Sequence, residues 1–412
     1  MTAPRDHVRP AARASGLGLL ALLAPAALVL AACGEEPPPA PPPTDGGAVV
    51  VENPALPPDA RLEWRIGTRP ELSIGVASGR TAHQLFGVRD ATVLPDGRIA
   101  IANGGTGEIR VFDATGAHLT SMGGAGEGPG EFRRLEAVEA WPGDSLLAWD
   151  ARQQRMSVFS ADGTHGRTFR LRHFEDTYSP RFLGVTPDGR LLVRGGFPQR
   201  SDEPYQGMFR PMSRYALLDA QGNPGTDLGE HPGEEGYLTA GGGFETFSEH
   251  PHAKTTVSAV WGDEVLISPN DSFELTAFDL DGAPTRRIRL DYDLVAPTRE
   301  DMEAWFEAFT ADDTAEERAA FRRSFEDLPL LEAFPAFEAI EVDALGFVWV
   351  REYPRTADDP LSWIVFDPAG RAQGRIQTPP GLEVYEIGAD YLLGRTRDEL
   401  DIERVERWAL TR

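Results

Sequence analysis

An all-β fold of radially repeated four-stranded sheets, a six-bladed β-propeller, is the architecture that three features of this 412-residue chain predict. Six segments place turn chemistry ahead of a short apolar run. A second turn pattern follows most of them downstream. The shortest intervals between copies cluster near 45 residues.

The six segments are LPDGRIAIA (94–102), WPGDSLLAW (141–149), TPDGRLLVR (186–194), VWGDEVLIS (260–268), DALGFVWVR (343–351) and IGADYLLGR (387–395). Asp and Gly at the turn followed by apolar residues is a hairpin signal. The answering pattern is VFDATG (111–116), repeated as VFSADG (158–163), LLDAQG (217–222), AFDLDG (277–282) and VFDPAG (365–370). The last copy loses its turn and ends in VERWALTR, with Trp408 in the Phe position. From turn residues 97, 144 and 263 to Phe112, Phe159 and Phe278 the offset is 15 each time, and successive turns lie 47, 45, 74, 83 and 44 residues apart. Each copy is one antiparallel sheet that must stack on its neighbours, and the two long intervals hold insertions. Residues 61–412 form the predicted propeller, and residues 62–66 or 72–76 supply the strand that closes the last blade.

One segment breaks the β pattern between blades four and five. Thr298 to Asp301 reads as a capping box, with Met302, Trp305, Phe306 and Phe309 at helical spacing. Residues 314–317 open a second helix with Phe321, Phe325 and Leu328 on one face, and Pro329 and Pro335 bound its end. This small α-helical insertion (297–333) is expected to pack its aromatic face on the propeller rim.

The N-terminus is a targeting segment. Arg5, Arg9 and Arg13 precede an apolar run over 17–32, too short for a membrane span, which makes residues 1–32 a signal peptide. Residues 30–34 read Leu-Ala-Ala-Cys-Gly and resemble the bacterial lipobox; the resemblance implies cleavage before Cys33 and its lipidation. Cys33 is the one cysteine, so no disulfide staples the body. Residues 33–60, rich in Pro, read as a solvated tether. Gly34 is not the aspartate that favours inner-membrane retention in that family. The expected location is therefore the bacterial cell envelope, extracytoplasmic, and the outer membrane in a cell with two. The net charge is −25, and near −27 once residues 1–32 are removed, which disfavours nucleic acid.

The run from Asp96 to Phe159, DGRIAIANGGTGEIRVFDATGAHLTSMGGAGEGPGEF…LLAWDARQQRMSVF, resembles NHL repeats and the broader TolB-like six-bladed propellers. The likeness covers blades one and two, and only the hairpin pattern continues past Arg170. On related propellers zinc lyases use three histidines and calcium lactonases use carboxylates and amides, which directs attention to His231, His250 and His252 and to Asn103 and Asp150. The bland alternatives are loop histidines and turn-capping Asn and Asp. No metal ligand and no catalytic residue is nominated.

The glycine-rich GGAGEGPGEF (123–132) has no following Lys-Ser/Thr and no helix to start, so it is not a phosphate loop. There is no GxSxG, and lipidation consumes the one thiol. One constellation remains. Arg89, Arg134, Arg181 and Lys254, the chain's sole lysine, fall where four inner strands begin. They would either form a positive mouth for a carboxylate or phosphate ligand, or pair with acids such as Asp90, Glu131 and Glu136 and join the blades. The expected function is a non-catalytic binding or scaffolding lipoprotein, with a protein, small anionic or glycan partner at the channel face and no cofactor. The alternative is a metal-dependent (Ca or Zn) hydrolase, lactonase or lyase at the same mouth.

Overall fold

The computed structural model describes residues 44–160, 162–196, 206–241, 244–326, 328–356 and 359–412. Residues 1–43, which hold the expected signal segment, Cys33 and residues 33–43 of the expected tether, lie outside the described residues. What is described is mostly strand, with two α-helices. Six antiparallel sheets follow one another along the chain, each a simple up-and-down succession.

The first sheet holds strands Val88–Val93, Ile99–Asn103, Glu108–Phe112 and His118–Gly123, and the second Leu135–Trp141, Ser145–Asp150, Arg155–Ser160 and His165–Arg170. Tyr178–Val185, Leu191–Gly196, Met212–Leu218 and Pro224–Pro232 form the third. The fourth begins at Thr256–Trp261, the fifth at Phe337–Val342 and the sixth at Glu383–Ile387. The two turn patterns of the sequence fall at the hairpins inside these sheets. Asp113, Asp219, Asp279 and Asp367 each accept from the backbone N–H two and four residues on, which is why that turn recurs with Asp.

Hydrophobic clusters lie between successive sheets. Val111 and Ala100 meet Val138 and Leu146 between the first and second. Trp149 and Met156 meet Phe182 and Val193 between the second and third. Leu192 and Leu217 meet Val265 and Ile267, then Leu275 meets Phe337 and Ile364, and Trp349 and Trp363 meet Leu392 and Leu410. Leu393 and Val405 of the sixth sheet pack with Val88, Ile99 and Phe112 of the first. Each sheet thus buries both faces against its neighbours, the propeller-like arrangement expected of an all-β repeat.

Both proposed closing segments are used. Leu72–Ile74 and Arg65–Ile66 pair with different parts of the long final strand Glu403–Thr411. Gly75 makes the approach feasible: its φ is +142°, and an added Cβ would lie 2.3 Å from the carbonyl oxygen of Glu403.

Two features depart from the sequence reading. The expected tether (33–60) is structured from Thr44 onward: Ala48–Asn53 adds in parallel to Pro284–Leu290, the outer strand of the fourth sheet. Ala48 and Val50 are buried with Val49 exposed between them, and the buried Asn53 side chain donates to the carbonyls of Arg289 and Gly370, which holds the register. A three-stranded sheet of Gly207–Phe209, Gly236–Gly241 and Phe244–Glu249 also stands apart from the six.

Helices α1 (Arg299–Phe309) and α2 (Ala315–Phe325) carry reciprocal capping boxes at Thr298/Asp301 and Thr314/Glu317. Among the described residues, the cluster that buries their aromatic face takes in no residue of the six sheets. Met302, Phe306, Phe325 and Leu328 bury one another, with Tyr237 of the small sheet against them. The reason is stacking: Trp305 lies nearly parallel to Phe309 and Phe325, so the two helices satisfy each other.

Candidate functional site

The first strands of the first and second, third and fourth, fourth and fifth, fifth and sixth, and sixth and first sheets approach one another, so they surround a common axis. The four cations sit where these strands start. Arg89 is the second residue of its strand and exposed, Arg134 immediately precedes its strand, Arg181 lies inside Tyr178–Val185, and Lys254 is half-buried two residues ahead of Thr256. Arg134 and Arg181 share a cavity. It measures about 350 Å³ between the second and third sheets and is also lined by Glu136, Gln154, Ser179 and Trp149. Arg134 pairs with Glu136, whereas no carboxylate lies within ion-pair distance of Arg89 or Arg181 among the described residues. Arg134 therefore has the partner foreseen by the packing alternative, and Arg181 does not.

The backbone around this cavity is unusual. Gln154 (φ +51°) and Ser179 (φ +49°) adopt the left-handed conformation without being glycine. Each costs on the order of 1–2 kcal/mol relative to a right-handed residue. Such geometry is held by its surroundings: the Leu171 N–H donates to the Gln154 carbonyl at 3.3 Å.

Deeper along the axis lies a group that the sequence reading missed. Asp90, Glu139, Glu341 and Glu386 come from the first strands of the first, second, fifth and sixth sheets. All four are half-buried. Two are committed to joining sheets. Glu386 accepts from Thr92 Oγ1 (2.6 Å) and the Val93 N–H (2.9 Å), and Asp90 accepts from the Val138 N–H at 2.9 Å. Glu139 and Glu341 have no hydrogen-bond partner among the described residues. Burial, reinforced by the charge of Glu386, pushes the Glu139 carboxyl up to about 7. Burial pushes Glu341 up to about 8, with Glu139 adding to the rise against Arg351. Asp90 is raised by burial and then by Glu139. The charge of Glu139 acts on both Asp90 and Glu341, so these carboxyls of the first, second and fifth sheets lie within electrostatic reach of one another. The sequence signal was an acid within the first strand of each of these four sheets, for example Glu139 in LEAVEAW.

The histidines do not converge. His231 binds the Leu228 carbonyl between the rings of Tyr215 and Phe278. His250 binds the Pro329 carbonyl, and His252 Nδ1 meets the Tyr353 hydroxyl at 3.0 Å. Burial, with His250 beside it, lowers His252 to about 4, so it is neutral at pH 7. Asn103 and Asp150 are fully buried. Asn103 receives the Phe86 N–H, and Asp150 receives the N–H groups of Arg133, Arg134, Arg152 and Gln153. These groups tie loops to strands and do not fit a zinc triad. Among the described residues no three His, Cys, Asp or Glu gather in a geometry that would hold a metal.

No protein-family profile and no curated protein matches the chain. Among solved structures, a member of the DUF4221 family from Bacteroides vulgatus aligns over 85% of this chain and 99% of its own, at 10% identity and a TM-score of 0.51. A candidate exported protein from Bacteroides fragilis aligns over 88% and 99%, at 12% identity and a TM-score of 0.48. Virginiamycin B lyase from Staphylococcus aureus aligns over 85% and 100%, at 10% identity and a TM-score of 0.40. The likeness is one of fold. The DUF4221 match supports the all-β arrangement of repeated sheets, and sites do not transfer at such identity.

Proposed function

We propose that this chain is a lipid-anchored, six-bladed propeller of NHL or TolB-like kind that binds an anionic ligand without catalysis, at the mouth between its second and third blades. The helical pair is an insertion between blades four and five. Cys33, in its lipobox setting, carries the anchor and places the propeller on the extracytoplasmic side of the bacterial envelope, at the outer membrane where there are two. Among the described residues no helix is long and apolar enough to cross a membrane.

The observation that carries the binding reading is the cavity that holds Arg134 and Arg181 together on a strongly acidic chain. An unpaired arginine at a cavity wall offers a planar pair of donors that a carboxylate or phosphate matches. Calorimetric titration with citrate is the test. The wild-type chain binds and the R134A/R181A variant binds at least tenfold more weakly, while Arg89→Ala and Arg181→Ala alone leave the melting temperature within about 3 °C. A large loss of stability in both single variants would assign the arginines to packing instead.

The second reading, a metal-dependent hydrolase or lyase, is favoured by the axial carboxyls, since a neutral Glu at pH 7 is what acid catalysis uses. Elemental analysis of the purified chain separates the two. One retained calcium or zinc per molecule would overturn the non-catalytic reading.

A further inference from the structure

We propose that the mouth is the middle of a longer trough that binds a linear polysaccharide bearing carboxylates, a polyuronate. The trough rests on the mouth reading for its central portion and extends it in both directions.

Three cavities adjoin. The central one shares Gln154 with a cavity of about 540 Å³ lined by Arg170, Arg172, His173 and Gln221. On its other side it shares Ser179 and Arg181 with a third, of about 260 Å³, lined by Arg194, Ser213 and Tyr178. Five arginines therefore line one continuous path: 170, 172, 134, 181 and 194. The acids lining it are Glu136 and Glu234. Arg170 and Arg172 are exposed, and no carboxylate lies within ion-pair distance of either among the described residues. The local composition agrees: residues 151–196 carry eight arginines against four acids in a chain of net charge −25.

The non-glycine residues with positive φ concentrate here as well. Of five in the described chain, Gln154 and Ser179 line the path and Glu175 lies in the loop between them. Backbone held in this way sets side chains in fixed places along the path.

The chemistry of the walls selects the ligand. Spaced arginines suit carboxylates at intervals along a chain. Between them stand neutral groups, Gln154, Gln221, Ser179 and Ser213, which match sugar hydroxyls. Tyr178 is 45% exposed at the path and offers a flat apolar face for a sugar ring.

Polygalacturonate, poly-glutamate and neutral dextran are the probes, with citrate as the small anion, titrated against the full chain and against R170Q/R172Q and R134A/R181A. The proposal expects polygalacturonate to bind at least tenfold more tightly than citrate and dextran not to bind. It further expects R170Q/R172Q to lose that advantage while keeping wild-type citrate affinity. Because Arg170 and Arg172 are exposed, that variant folds as the wild type, which its melting curve verifies. Unchanged polymer affinity in R170Q/R172Q would overturn the trough and leave the mouth reading intact. Equal binding of poly-glutamate would overturn the glycan class. Loss of citrate as well as polymer binding by the wild-type chain would overturn both readings together.

Discussion

At the scale of single residues, the recurring hairpin aspartates are occupied with their own turns. The Asp113 carboxylate receives the Thr115 hydroxyl and the Thr115 and Ala117 N–H groups, which hold it below the usual carboxylate range. Asp150 sits in a fully buried position, receiving four backbone N–H groups and the Gln153 side chain. Asp150→Ala leaves those donors unsatisfied and is expected to cost about 3 kcal/mol or more in urea unfolding, and Asp113→Ala, whose donors can turn to water, less. The axial pair behaves in the opposite sense. Glu139 and Glu341 bind protons more tightly when folded, near 7 and 8, than the ordinary 4.5. Folding is therefore most favourable at the low end of this window and weakens as pH rises from about 4.5 through 8. Part of each side chain meets solvent, which limits the effect to about 1–2 kcal/mol per group. Glu139→Gln, facing Asp90, Glu341 and Glu386, should flatten the fall in melting temperature between pH 5.5 and 8.5. A variant as pH-dependent as the wild type would show that the axis does not hold these protons.

At the scale of elements, what could be read from sequence was what is local. The capping boxes at Thr298 and Thr314 and the repeated Asp-Gly turns involve residues within four of each other, and their chemistry is written in order. Partners distant in the chain were not legible. Nothing in AVVVEN announces that it joins residues 284–290, some 235 positions on, because an edge strand accepts any strand of suitable pattern. The aromatic spacing of α1 and α2 gave the helices but not their destination, since stacking on each other and docking on a sheet need the same stripe. Closure was legible because the last sheet lacked an outer strand. Ile74→Ala empties a site that is 1% exposed within the cluster joining the sixth and first sheets. Chemical unfolding should show about 2–4 kcal/mol lost. Phe325→Ala, by contrast, should expose 299–325 to limited proteolysis while the sheets keep their melting temperature. Equal loss of both would mean that the helices support the core.

At the scale of the whole molecule, the stretch GGAGEGPGEF illustrates how context decides meaning. Its glycines at 123, 124 and 130 have positive φ, and Arg155 donates to the carbonyls of Glu127, Gly128 and Glu131. Glu127 pairs with Arg133 at 3.3 Å, and Glu131 takes the Gly128 N–H. The loop is a joint between sheets, and its exposed chemistry is spent on holding it. The candidate site was half legible: the cations were visible as residues, but only folding brings Arg134 and Arg181 to one cavity while leaving Arg89 and Lys254 outside it. The axial carboxyls were hidden because an acid in a strand looks like a surface position. The central claim is that an anion is held between the second and third sheets. Hydrogen exchange of the full chain with and without saturating citrate tests it most directly. Slowed exchange confined to the segments around Arg134, Gln154 and Ser179 is the predicted result; protection centred on Lys254 or on α1, with none at those segments, would contradict it.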